Sequence, residues 1–116
     1  VFQMKRLLRF KSRPIVLDEI VVPAALFGGL TLQRLADYKG SVYGLYESQF
    51  GLRMIRAEER ITAVAADAAT AQLLAVQTGA ALLCVDRIAF TYGDKPVEWR
   101  RGLYATAEHY YLNELI

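Results

Sequence analysis

Leu82-Leu83-Cys84-Val85-Asp86-Arg87-Ile88-Ala89-Phe90-Thr91-Tyr92, Gly93-Asp94-Lys95-Pro96 and Val97-Glu98-Trp99-Arg100-Arg101-Gly102-Leu103-Tyr104 follow one another without a break. Two runs rich in β-branched and aromatic residues flank a turn of Gly, Asp, Lys and Pro, which predicts a β-hairpin. Strands joined this way are antiparallel. Strand alternation places Glu98, Arg100, Gly102 and Tyr104 on one face, and Val97, Trp99, Arg101 and Leu103 on the other. The first face offers an anion, a cation, a bare backbone position and a phenol. That set suits hydrogen bonding to a polar ligand, and it also suits an ordinary solvent-facing strand.

A second hairpin lies at the start of the chain. Residues 1–10 read as a strand with interspersed cations, Lys11-Ser12-Arg13-Pro14 as a turn, and Ile15 to Val22 as the returning strand, ended by Pro23. Arg6-Leu7-Leu8-Arg9-Phe10-Lys11-Ser12-Arg13-Pro14-Ile15 parallels Arg87-Ile88-Ala89-Phe90-Thr91-Tyr92-Gly93-Asp94-Lys95-Pro96-Val97, with one more residue in the second turn. Internal duplication explains the likeness, and so does turn chemistry shared by unrelated hairpins. A duplicated domain is pseudo-symmetric, and the seam between its halves is a natural place for a cleft.

Between the hairpins the reading turns helical. Ala24 to Leu30, with Gly28-Gly29, is irregular. Thr31 caps a short helix through Asp37. Ser41 is an N-cap, its hydroxyl able to accept a first-turn N–H, and Val42, Leu45, Tyr46 and Phe50 recur at helical spacing up to Gly51. Leu52 to Ala66 reads as extended, although its alanines also permit a helix. Asp67 caps a helix over Ala68 to Val76, with Gly79 ending it. The aromatic tail, Ala105 to Ile116, is expected to pack an edge. Hairpins separated by helices predict an α+β domain, an antiparallel sheet with flanking helices.

With 116 residues the chain is one domain, and 54% apolar residues are enough to bury a core. A net charge of +2 gives no ground for a nucleic-acid surface. The apolar runs are too short to span a bilayer, and no signal peptide is visible. Cys84 is the only cysteine, so no disulfide forms within the chain, in keeping with a reducing cytosol. The chain begins on Val1 and reads as mid-strand at once, which predicts a fragment of a longer protein.

Few residues invite catalysis or metal binding. His109 is the only histidine and has no motif around it. Gly28-Gly29 lacks the spacing of a phosphate loop. Glu58-Glu59 are candidate paired carboxylates, but Arg56 and Arg60 flank them and make a salt-bridged strand face the better expectation. No metal and no cofactor are therefore expected. Arg6 and Arg9 bring guanidinium forks suited to carboxylates or phosphates, and the helix start at Ser41 also favours an anion.

Several stretches together resemble one family. Gly40-Ser41-Val42-Tyr43-Gly44-Leu45-Tyr46-Glu47 is similar to the Gly-Ser-x-Tyr-x-x-x-Glu step of UTRA domains. Glu58-x-x-Ile61-x-Ala63-x-Ala65-Ala66-Asp67 and Ala71-x-Leu73-Leu74-x-Val76-x-x-Gly79 resemble the middle of that family. Leu82-Leu83-x-Val85-x-Arg87 and Pro96-Val97-Glu98-Trp99-Arg100 resemble its final hairpin, and Tyr110-Tyr111-Leu112-Asn113-Glu114-Leu115 the ending of some members.

The resemblance implies a chorismate lyase-like fold, internally duplicated, over residues 1–116. It implies the effector-binding half of a GntR-type transcription regulator of the HutC subfamily, without enzymatic activity. In such proteins a separate N-terminal winged helix-turn-helix domain binds DNA, and the sensing domain forms a homodimer in the cytoplasm. The implied effector is a small anionic or polar metabolite. Carried over by position, Ser41 and Tyr43 match the helix-start pair that contacts ligand, Glu98 the strand carboxylate and Tyr104 the tyrosine after it. Arg6 and Arg9 match the first-hairpin arginines, although the family often spaces them two apart. Arg100 joins this set from the strand face. The family's opening strand-helix segment has no counterpart here. Two rival readings are a chorismate lyase-like enzyme and a dimerisation module without ligand.

Overall fold

The computed structural model describes residues 1–114. Five strands form one antiparallel sheet: β1 (Phe2–Phe10), β2 (Arg13–Val22), β3 (Arg56–Ala65), β4 (Ala81–Thr91) and β5 (Lys95–Ala105). Their spatial order is β1-β2-β5-β4-β3, so the two hairpins stand side by side and meet at a β2–β5 seam. Three helices complete the fold, α1 (Leu32–Asp37), α2 (Val42–Phe50) and α3 (Ala68–Leu74). The expected antiparallel α+β architecture is the one observed.

The local signals act as their chemistry predicts. Thr31, Ser41 and Asp67 each sit in extended backbone and accept an N–H of the first helical turn. Gly51 closes α2 in the left-handed region at φ 66°, where a side chain would be strained. Helix α3 departs from expectation. It ends at Leu74 on a left-handed Ala75, and Gly79 belongs instead to the turn leading into β4. Of the stretch Leu52 to Ala66 expected to be extended, Arg56–Ala65 forms strand β3. Its Glu58 and Glu59 point to opposite faces, which removes them as paired carboxylates.

The duplication is visible in the register. Leu8 pairs with Val16 but Arg9 with Pro14, leaving Ile15 as an extra residue. Ala89 pairs with Glu98 but Phe90 with Pro96, leaving Val97 as an extra residue. The same bulge therefore follows the same proline in both hairpins. This bulge also corrects the expected facing of Val97, which packs into the core with Ile20 and Leu45. Superposing Pro14 on Pro96 carries Asp18 onto Arg100 and Ile20 onto Gly102. Across the seam Asp18 pairs with Gly102 and Ile20 with Arg100. Exchanging the hairpins turns one pair into the other, which is the register that a two-fold axis through the seam requires.

Helices cover the two faces unequally. On one face α1, α2 and the loop carrying Phe27 bury Met4, Ile20 and Val22. On the other, α3 packs on Leu7, Leu17 and Leu103. The hairpin exchange carries these three onto Ile88, Trp99 and Val21. The aromatic tail does not run along an edge. It crosses strands, with Glu108 on Arg13, His109 against Phe10, and Tyr111 on Glu59 and against Tyr104. Leu115 and Ile116, also assigned to that tail, lie outside the described residues.

Candidate functional site

The α2 face of the sheet carries charge where the helices stop covering it. Alternation along β5 presents Glu98, Arg100, Gly102 and Tyr104, as expected. The register aligns Arg87 of β4 with Arg100, Asp18 of β2 with Gly102, and Arg6 of β1 with Asp18. A depression of about 70 Å³ opens over the seam, lined by Arg6, Asp18, Arg87, Arg100, Gly102 and Tyr104, with Leu8, Val16 and Val85 as its apolar part.

Each arginine meets a carboxylate. Arg6 Nε donates to Asp18 Oδ2 at 2.9 Å, Arg87 pairs with Glu59 at 2.7 Å, and Arg100 donates to Glu98 Oε2 at 2.7 Å. Glu98 is 3% exposed and its second oxygen is also occupied, accepting from Tyr43 at 3.1 Å, while Tyr46 donates to Oε2 at 2.5 Å. Charge-assisted bonds of this kind are about twice as strong as neutral ones. The carboxylate therefore serves as an anchor behind Arg100, gathering two α2 phenols onto β5. Tyr43 also accepts from Arg87 at 3.4 Å, and the Arg100 guanidinium lies 5.4 Å from its ring centre.

Burial sets the protonation of the phenols. Desolvation, followed by the Glu98 charge, raises Tyr43 and Tyr46 above the ordinary tyrosine value. Desolvation and then Asp18 raise Tyr104. All three are hydrogen-bond donors at neutral pH. Among the described residues, Arg100 Nε is the one buried side-chain nitrogen or oxygen without a partner. Such a group in a native fold calls for an acceptor from outside the protein, a water or a ligand.

The residues singled out in the sequence are distributed as follows. Arg6, Arg100 and Tyr104 line the depression. Tyr43 and Glu98 stand directly behind Arg100. Ser41 caps α2, its Oγ accepting from Gly44 N at 3.0 Å, and does not line the depression. Arg9 is exposed beside the β1 bulge and does not line it either.

Sequence reasoning overlooked Asp18, Tyr46 and the pairing of Arg87 with Glu59. Asp18 left a signal: it falls in step with Val16, Ile20 and Val22, a lone carboxylate on an apolar stripe, and is 3% exposed. The other partners are set by strand register and left none. No group of His, Cys, Asp and Glu with metal-binding geometry occurs among the described residues. Among the described residues no helix is long and apolar enough to cross a membrane either.

The fold has counterparts in known proteins. The family model described as the UTRA domain matches residues 1–110. The ligand-binding domain of a GntR-family transcriptional regulator from Bordetella bronchiseptica is 47% identical, with 98% of this chain and 72% of that one covered and a TM-score of 0.89. A transcriptional regulator from Streptomyces coelicolor is 25% identical over 93% of this chain and 69% of that one, with a TM-score of 0.82. The effector domain of PhnF from Mycobacterium smegmatis shares the fold at 24% identity, over 98% of this chain and 68% of that one, with a TM-score of 0.83. No curated protein sequence matches the chain. The duplicated sheet, the α2 step and these likenesses agree: the chain belongs to the UTRA domain family.

Proposed function

We propose that this chain is the effector-sensing part of a bacterial GntR-type transcription regulator of the HutC subfamily, and that it acts without catalysis. The observation that carries the reading is the seam depression, where Arg6, Arg100 and Tyr104 converge and a buried guanidinium N–H has no protein acceptor. The names of its relatives, a ligand-binding domain and an effector domain of transcriptional regulators, support it. In this reading Arg6, Arg100 and Tyr104 contact a small anionic or polar metabolite. Tyr43 and Glu98 hold Arg100 in place, and Ser41 holds the α2 start that carries Tyr43.

The same reading makes the chain residues 1–116 of a longer cytoplasmic homodimer, whose winged helix-turn-helix heads contact DNA. An effector controls such heads only through its differential affinity for two dimer geometries. A metabolite panel read by thermal unfolding tests the proposal. At least one small polar compound should raise the midpoint, and Arg100→Gln should abolish the rise while leaving the circular dichroism of the sheet unchanged. A folded protein that no compound in a broad panel stabilises would overturn it, as would pyruvate release from chorismate.

A further inference from the structure

Resting on the effector-sensing reading of the seam depression, we propose that the effector is a small zwitterion, its carboxylate meeting Arg100 and its ammonium meeting Asp18. The charge of the site argues for both signs in the ligand. Arg6, Arg87 and Arg100 each bring a carboxylate partner, namely Asp18, Glu59 and Glu98. The cations facing the depression are thus already neutralised. Of their carboxylate partners only Asp18 lines the depression, so a phosphate dianion entering here meets guanidiniums already bonded to carboxylates and brings no donor for Asp18. A ligand carrying one charge of each sign leaves the balance at zero.

Two residues that line the depression keep an unused valence. Arg100 Nε is buried without an acceptor. Arg6 occupies Asp18 Oδ2, and among the described residues no donor reaches Asp18 Oδ1. Asp18 and Arg100 occupy equivalent positions of the two hairpins, on adjacent strands and diagonal across the seam. The two halves therefore present opposite charges at symmetry-related places. They keep like charges at Arg6 and Arg87, which the same exchange superposes. The depression, of about 70 Å³, has room for a small charged head group. Leu8, Val16 and Val85 offer a short apolar wall for a carbon chain.

The test compares matched ligands on the unmodified protein by calorimetry and thermal unfolding. The probes are the protein amino acids and a series of ω-amino acids, their deaminated acids, hexoses, hexose phosphates and inorganic phosphate. A zwitterion should bind at least about tenfold more tightly than its deaminated counterpart, since a hydrogen bond to a charged group is lost with the ammonium. Asp18→Asn should erase that preference. Should this variant fail to fold, the comparison on the unmodified protein still decides. Tighter binding of a phosphate, hexose or simple acid than of any zwitterion would overturn the ligand class and leave effector sensing standing. Binding of none of these classes would overturn both.

Discussion

Tyr46 of α2 donates its hydroxyl proton to Glu98 of β5 at 2.5 Å, and neither side chain reaches solvent. The bond holds helix to sheet directly beneath the candidate site. Removing it leaves a buried carboxylate one donor short, a loss that costs about 1–3 kcal/mol. Tyr46→Phe should lower the stability measured by urea unfolding by about that amount. Tyr43→Phe, at a longer and partly exposed bond, should cost less. Equal effects of the two would show that the Tyr46–Glu98 bond has no special weight.

Alkali should destabilise the protein through the same residue. Burial, then the Glu98 charge, then the bond to Glu98 hold the Tyr46 hydroxyl well above its ordinary value of 10.0. In the unfolded chain Tyr46 loses its proton near that ordinary value, while in the folded protein it keeps it. The folded state then binds more protons, so this contribution is intact below about pH 10 and is lost as pH rises further. The expected slope is about 1.4 kcal/mol per pH unit for one such group. Unfolding midpoints followed into alkali should fall less steeply in Tyr46→Phe than in the unmodified protein. Parallel curves would rule Tyr46 out as the source.

Gly102 and Tyr104 share the floor of the depression. A Cβ at Gly102 would lie 2.6 Å from Cε1 of Tyr104, closer than any real contact. The ring rests on the bare backbone, and Gly102→Ala must push it over the depression. Overpacking of this kind costs about 1–3 kcal/mol. The cost should shrink in a Tyr104→Ala background, because the clash is with that ring. Additivity of the two substitutions within about 0.5 kcal/mol would place the strain elsewhere.

Ser41 should act on stability more than on ligand contact. Its Oγ accepts from Gly44 N at 3.0 Å. Ser41→Ala should cost about 1 kcal/mol and speed amide exchange at Gly44, whereas Ser41→Asp should keep the cap. Unchanged exchange at Gly44 in the alanine variant would contradict this role.

The sequence by itself determined the elements and their order. Thr31, Ser41 and Asp67 start helices, Gly51 stops one, and two proline-bearing turns fold two hairpins. Each signal depends on residues a few positions apart, so its energy is nearly the same in any fold. The facing of Glu98, Arg100, Gly102 and Tyr104 was legible for the same reason, because strand alternation is local. Arg6, Tyr43 and Ser41 also stood out in the sequence, but the bonds that Arg6 and Tyr43 make across strands and to the sheet did not.

Tertiary structure alone decided the partners. Which strands adjoin, and in which register, places Asp18 beside Arg6, Arg87 beside Glu59 and Tyr46 under Glu98. Those choices come from the summed burial of Met4, Ile20, Phe27 and their neighbours, a sum over residues far apart in the chain. Register also buries Glu98 against Tyr43, Tyr46 and Arg100, and leaves Asp18 as the carboxylate that lines the seam depression. A charge network is a property of pairings across strands, and local sequence carries no record of them.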